Sequence, residues 1–204
     1  MTRRQKPHPS SDEPSPGSDY PDLVKAASTG DAAALDALLL RAQEVAYRFS
    51  LTVCGHAEDA EDVMQEALIK TYQHVEGIRE PAAFRGWLYR TVKNACLMRR
   101  RLRRHEPRHL LSIEDDRPDG GGAGGWPVAD AAIPADEALS RSAERRRLRE
   151  ALSRLPGRYR VVVFLRQVEG LSTREVAGVL GISEASVKMR LHRAHGLLRR
   201  EMSA

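Results

Sequence analysis

Cysteine is scarce in this sequence: Cys54 and Cys96 are the only two among 204 residues. Two thiols cannot build a disulfide framework, and such sparing use fits a reducing cytoplasm. Aromatic residues make up 5% of the chain, low for a β-sandwich or barrel and ordinary for helices. No apolar run approaches the roughly 18–20 residues that a membrane-spanning helix needs, so none is expected. The first residues, MTRRQKPHPSSDEPSPGSD, are basic but lead into no apolar core, which excludes a secretory signal. Signatures of catalysis are missing too. The glycine run DGGGAGG lacks a following Lys-Ser/Thr, and there is no nucleophile elbow and no HExxH. An enzyme with a small-molecule substrate is therefore not expected. Cys54 with His56, Cys96, His105 with His109 and His192 with His195 bring no four N/S ligands together locally. They read as buried or solvated side chains, and no metal or cofactor is expected. A redox switch through Cys54 and Cys96 stays open, without further support in the sequence.

What the chain does have is charge, 30% of its residues, in blocks. Residues 56–80 carry seven acids and two bases, and 85–108 carry nine bases and one acid. Residues 105–140 carry eight acids and two bases, and 141–200 carry fifteen bases and five acids. The formal net charge of +5 thus resolves into two basic blocks, each preceded by an acidic one. Basic blocks point to an acidic partner such as nucleic acid.

Composition divides the chain further. Residues 1–20, rich in Pro, Ser and charge, read as a disordered tail. Residues 105–134, with DGGGAGGWP and several Asp, read as a flexible acidic linker. Two helical modules remain, 21–104 and 135–204. The expected fold is all-α: two small helical domains on a flexible Gly-rich linker.

In the first module Asp31 is a candidate N-cap for a long helix that Gly55 closes. A second helix, AEDAEDVMQEALIKTYQHV, starts with acids that suit its dipole and buries Ala60, Val63, Ala67 and Thr71. Gly77 and Pro81 mark a loop. A third helix from Phe84 to Arg104 aligns Phe84, Leu88, Thr91, Ala95, Met98 and Leu102 in one stripe. In the second module a helix runs from about Pro134 to Leu155. RYRVVVFLRQV follows, read as a helix with a buried strand as the competing assignment.

The last stretch, LSTREVAGVLGISEASVKMRLHRAHGLLRR, is the most specific. Ser172 and Glu175 form a capping box, Val176, Ala177 and Leu180 face inward, and Gly181 occupies a tight turn. Ser183 caps a second helix whose Val187, Leu191, Ala194 and Leu198 face inward. Ser183, Glu184, Ala185, Ser186, Lys188, Met189, Arg190 and Arg193 stay outward near its start. This is the pattern of a helix-turn-helix, whose second helix enters the major groove. The alternative is an ordinary helical hairpin with a solvated basic face.

A second basic site lies on FRGWLYRTVKNACLMRRRLRR, whose polar side carries Arg90, Lys93, Asn94, Arg99, Arg100, Arg101, Arg103 and Arg104. Phe84, Trp87 and Tyr89 stand at its start beside the loop VEGIREPAA. Aromatics next to bases suit single-stranded or locally opened nucleic acid, where bases stack and phosphates are neutralised. Phe84 reads as core, whereas Trp87 is divided between core and stacking.

These segments, in this order, resemble bacterial RNA polymerase sigma factors of the extracytoplasmic-function (ECF) group of the sigma-70 family. The matching stretches are AEDAEDVMQEALIKTYQHV, FRGWLYRTVKNACLMRRRLRR and LSRLPGRYRVVVFLRQVEGLSTREVAGVLGISEASVKMRLHRAHGLLRR, about two thirds of the chain with the helix from Asp31. The resemblance implies a cytoplasmic factor that binds core RNA polymerase, directs it to promoters and helps open the −10 element. Asp59, Asp62, Gln65, Glu66 and Ile69 would dock on the clamp coiled coil of the largest subunit, with the flap as a further contact. Trp87, Arg90, Lys93, Asn94, Arg100, Arg101 and Arg104 would engage the −10 element, and the helix-turn-helix would read the −35 element. An anti-sigma factor is a further expected partner. The two tethered modules, with mutually repelling basic faces, are expected to bind promoters weakly until polymerase aligns them. His195 stands where the family often has Arg, which puts a phosphate contact there in doubt. The linker is longer and richer in Gly than many, and no fused C-terminal domain is expected. A stand-alone helix-turn-helix regulator leaves the acidic helix unexplained. A non-specific RNA-binding protein would show no promoter preference.

Overall fold

A computed structural model describes residues 20–102 and 146–203, with the side chains of 100 and 102 left out. Residues 1–19 of the expected tail, Arg104, the linker and the start of the helix near Pro134 lie outside the described residues; Tyr20, read as the end of that tail, instead opens a helix and is 1% exposed. The described residues are helical and include no strand. The helices are α1 (Tyr20–Ser28), α2 (Ala32–Cys54), α3 (Ala57–His74), α4 (Phe84–Leu102), α5 (146–154), α6 (Gly157–Val163), α7 (Thr173–Leu180) and α8 (Glu184–Ser203). Two 3-10 turns, Val75–Gly77 and Pro81–Ala83, join α3 to α4, and a π-helical turn, Phe164–Val168, continues α6.

The long helix α2 organises the first module. Asp31 caps it by accepting from the Ala34 amide at 3.0 Å, and Gly55 ends it in the left-handed region at φ 82°. Leu38, Ala42, Ala46, Phe49 and Val53 recur at steps of four and three and are fully or almost fully buried. They meet Ala60, Val63, Ala67 and Thr71 of α3, the face expected from the spacing, and Phe84, Leu88 and Val92 of α4. The buried face of α4 is wider than the expected stripe. It takes in Tyr89, Val92 and Cys96, because α2, α3 and α7 all pack against this helix, while Met98 is turned outward at 58% exposure.

Residues 157–168 are helical, so the strand assignment fails. β-branched side chains disfavour a helix only slightly. Here every residue of α6 is buried between α2, α8 and its own π turn, and tertiary burial decides. The reading of the thiols is also corrected: Cys54 and Cys96 form a disulfide that ties the end of α2 to α4. They lie 42 positions apart in the sequence, so only packing brings them together.

The two modules do not stand apart. Their buried residues form one continuous core, in which Phe49 stacks on Phe164 at 5.7 Å and meets Tyr89 edge-on at 5.0 Å. Helix α7 lies on α4, and α6 on α2. At this contact an acidic residue, Glu169, sits where Arg48 and Arg85 of the first module converge.

Candidate nucleic-acid and polymerase interfaces

The helix-turn-helix is built as its sequence reads. The Ser172 hydroxyl accepts from the Glu175 amide at 3.2 Å, and the Glu175 carboxylate accepts from the Ser172 amide at 2.7 Å. Hydrogen bonds from Ser172 hold the Glu175 carboxyl below its ordinary value. Gly181 turns the chain at φ 73°, and Ser183 accepts from the Ser186 amide at 3.2 Å to start α8. Val187 and Ala194 are fully buried, with Leu191 and Leu198 packed partly beneath the helix. That seating leaves Ser183, Glu184, Ala185, Lys188, Met189 and Arg193 exposed along the first turns of α8. Ser186 and Arg190 are half-buried, and Arg190 already has an intramolecular partner. His195, next on this side, accepts from the Gln167 side-chain amide at 2.6 Å, which commits its ring to the protein.

On α4, Arg90, Asn94 and Arg101 are exposed, whereas Lys93 is half-buried and partnered. The Trp87 ring is half-buried against Phe84 at 5.8 Å, while Phe84 itself is 1% exposed. Trp87 is thus both a wall of the core and an available stacking surface. The side chain of Arg100 is not described. The Val75–Gly77 turn is anchored by buried Val75 and leaves Glu76, Arg79 and Glu80 outside.

The acidic helix α3 shows a third surface. Gln65 is exposed, and Ile69 stands out at 57% exposure. Asp62 accepts from Arg99 of α4 at 2.7 Å, and Glu66 pairs with Lys70 at 2.6 Å. Asp59 is placed differently from the rest of its predicted set. It is 7% exposed and lies 4.0 Å from Arg99, so it joins α3 to α4 rather than facing outward. Sequence reasoning missed part of this surface. Leu40 of α2, 68% exposed, and Tyr72 of α3, 64% exposed, flank a groove of about 580 Å³ that also includes Ile69. A second groove of about 550 Å³ lies between Tyr47 and Gln65 of the same two helices. The available signal was Leu40 itself, which falls off the period set by Leu38 and Ala42.

The described residues thus carry two helices with polar and basic outer faces and an acidic helix bearing an apolar ridge, surfaces of the kind found in nucleic-acid-binding proteins. Comparison with known proteins places the chain more closely. Residues 37–106 match the family Sigma-70 region 2, and residues 145–195 match Sigma-70, region 4. The ECF RNA polymerase sigma factor SigM of Mycobacterium tuberculosis is 32% identical over 179 residues, 88% of this chain and 82% of SigM. SigL of the same species is 33% identical over 177 residues, 86% of this chain and 93% of SigL. SigW of Bacillus subtilis is 28% identical over 179 residues, 88% of this chain and 94% of SigW.

The fold is similar to that of the sigma factor RpoE from Bartonella quintana, solved with the anti-sigma factor NepR. The TM-score is 0.57 at 21% identity, over 81% of this chain and 94% of that one. It is also similar to CnrH, solved with the cytosolic domain of CnrY: TM-score 0.55 at 23% identity, over 90% of this chain and 97% of that one. The chain belongs to the ECF RNA polymerase sigma factors. As a sigma factor it directs RNA polymerase to promoters for transcription initiation.

Proposed function

We propose that this sigma factor divides promoter recognition between its two exposed helices and docks on polymerase through the α2–α3 face. The first turns of α8 enter the major groove of the −35 element, with Ser183, Glu184, Ala185, Ser186, Lys188, Met189, Arg190 and Arg193 at its edges and backbone. Phosphate contacts from Lys188 and Arg193 set position, and the polar side chains read bases. Helix α4 and the 75–83 turns engage the −10 element, with Arg90, Lys93, Asn94, Arg100, Arg101 and Arg104 near phosphates. Trp87 offers a stacking face to an unpaired base, and an extruded base costs a few kcal/mol that its pocket must return. The factor contributes binding and strand opening, not bond-making chemistry, and it acts in the cytoplasm.

Gln65, Glu66 and Ile69, with Asp62 beside them, present acids around an apolar residue to the clamp coiled coil of the largest polymerase subunit. Asp59 supports this face from beneath. The flap is the corresponding contact for the second module. The likeness to RpoE, solved with the anti-sigma factor NepR, supports a regulator of the same class for this chain.

The observation that carries the reading is the order on one chain: an acidic docking helix, a basic aromatic helix, then a helix-turn-helix. Transcription with purified core polymerase on genomic fragments, with and without the protein, tests it. New transcripts from defined starts are expected. If core polymerase neither binds the protein nor changes its products, the reading fails.

A further inference from the structure

The bond between Cys54 and Cys96 stands at the rim of the first module's core. Cys54 is the last residue of α2 and is 6% exposed, while Gly55 to Glu58 after it are half-buried or exposed. Cys96, 1% exposed, is the last buried residue among the described side chains of α4. Beyond it α4 has few ties. Leu97 is partly packed on the core, and Arg99 reaches Asp62 at 2.7 Å and Asp59 at 4.0 Å. The Arg99 and Asp62 side chains are 33% and 55% exposed, and an ion pair so open to water contributes little. Among the described contacts the disulfide is thus the strongest tie near the last turns of α4, the end that carries Arg101.

The bond also closes a ring. Helix α3, both 3-10 turns and α4 as far as Cys96 lie between the two cysteines in sequence. The proposed docking helix and the whole 75–83 connection are therefore inside it.

Glutathione and thioredoxin keep cytoplasmic thiols reduced, and disulfides that form there are mostly transient ones of catalysis or redox sensing. The chain has no other cysteine, so within it this pair has two states, disulfide and dithiol. Both suit the interior. A free cysteine packs as a small apolar side chain, so two thiols leave Phe49, Val63, Leu88 and Val92 in place. Reduction removes only the covalent tie at the rim. Burial shields the sulfurs, so attack follows local opening, which costs least at element ends such as the Cys54 end of α2.

We propose that Cys54 and Cys96 form a redox switch that orders the basic end of α4 when oxidised and releases it when reduced. The inference rests on the cytoplasmic action and the role of α4 proposed above. Thiol–disulfide exchange drives the switch in both directions. A glutathione thiolate attacks the Cys54 sulfur, the S–S bond breaks, and Cys96 leaves as a thiolate that takes up a proton. A second glutathione thiolate attacks the glutathione sulfur of the mixed disulfide, and Cys54 leaves in the same way. Two glutathione thiols become one glutathione disulfide, and the protein gains two electrons and two protons. Glutathione disulfide, accumulating under oxidising conditions, reverses each step. The oxidised factor keeps Arg101 in place on the helix. The reduced factor frays beyond Cys96 and binds −10 DNA in proportion to the fraction still ordered. The factor is therefore more active under oxidising conditions.

The test uses the full chain in glutathione buffers from fully reduced to fully oxidised. Thiol alkylation followed by mass measurement reports the disulfide fraction, and it is expected to change reversibly at intermediate ratios. On reduction the amides of 97–102 should exchange faster with solvent, while those of α3 stay protected and unfolding stays cooperative. Affinity of the factor–polymerase complex for DNA carrying the −10 element should fall about tenfold if one-tenth of the protein stays ordered there, and return on reoxidation. Cys54→Ala with Cys96→Ala should bind at the reduced level at every ratio. A disulfide that persists at every ratio is a structural staple and overturns the switch, as do thiols that persist at every ratio. Equal −10 affinity in the two wild-type states overturns it without any variant. So does loss of the whole fold on reduction. A double variant that still responds to glutathione overturns the assignment to this pair. Transcription by wild type with core polymerase is run alongside in both states. Equal transcript yields sink the switch alone, whereas no transcripts in either state sink the functional reading.

Discussion

Truncating the apolar ridge of the α2–α3 groove should weaken polymerase binding while sparing the fold. Fully burying a Leu or Ile side chain contributes about 1.5–3 kcal/mol. Ile69 keeps 57% of its surface exposed and Leu40 keeps 68%, so a little over half of that contribution is left for a partner to realise. Each truncation to Ala should then cost about 1–2 kcal/mol of binding, or roughly 5–30-fold in Kd. The two residues flank one groove, so their effects need not add. Neither should disturb folding much, since neither fills the core. Charge reversal at Asp62 is less clean, because it also breaks the 2.7 Å pair with Arg99 that ties α3 to α4. The assay is a fluorescence-anisotropy titration of labelled protein with core polymerase, with thermal unfolding as the control. Glu58→Ala, on exposed helix surface away from the groove, should bind as wild type. If Leu40→Ala and Ile69→Ala both bind within twofold of wild type, the groove is not the docking face.

Reduction of the Cys54–Cys96 bond should destabilise the protein. Closing a loop of this length, 42 residues of separation, corresponds to about 4 kcal/mol in the chain-entropy model. Denaturant unfolding with and without reductant measures it, and two titratable thiols in the unreduced protein would refute the pairing. Ser172→Ala should cost about 1 kcal/mol through loss of the cap, read as a lower unfolding midpoint. The hydrogen-bonded Glu175 carboxyl is depressed. Its contribution is therefore present above the unfolded value of about 4.3 and lost as pH falls through the lower folded value. Stability of Glu175→Gln and wild type should converge toward acid, and a constant difference from pH 7 to 3 would contradict this. Lys188→Ala should weaken binding on all duplexes and reduce the salt slope by about one if Lys188 meets phosphate. An unchanged slope together with a cost of about 1–3 kcal/mol confined to one base position would make it a base contact instead.

Much of the molecule was legible from local rules. The caps at Asp31, Gly55, Ser172 with Glu175, and Ser183 each act within one helical turn, so residue type and spacing suffice to place them. The buried faces of α3 and α7 followed from period, as did the outward basic start of α8. The family resemblance followed from the order of these segments. Long-range partners were not legible. Whether 157–168 was helix or strand turned on what surrounds it, since burial on all sides removes the periodicity that distinguishes the two. Asp59 reads like its neighbour Asp62 in sequence, and only the approach of α4 buries one and exposes the other. Cys54 and Cys96 could be paired only once α2 and α4 were packed. Leu40 gained meaning only beside Ile69 and Tyr72. Glu169 looked like one acid in a basic block. Its burial among Arg48, Arg85 and Tyr89 required two modules to meet across at least 80 positions of sequence. Sequence by itself determined α2, α3, α4, α7 and α8, several of their ends and the family, because those depend on neighbours three and four residues away. Tertiary structure decided which charges are buried, which apolar residues stay outside and how the modules close, because those depend on contacts between distant segments.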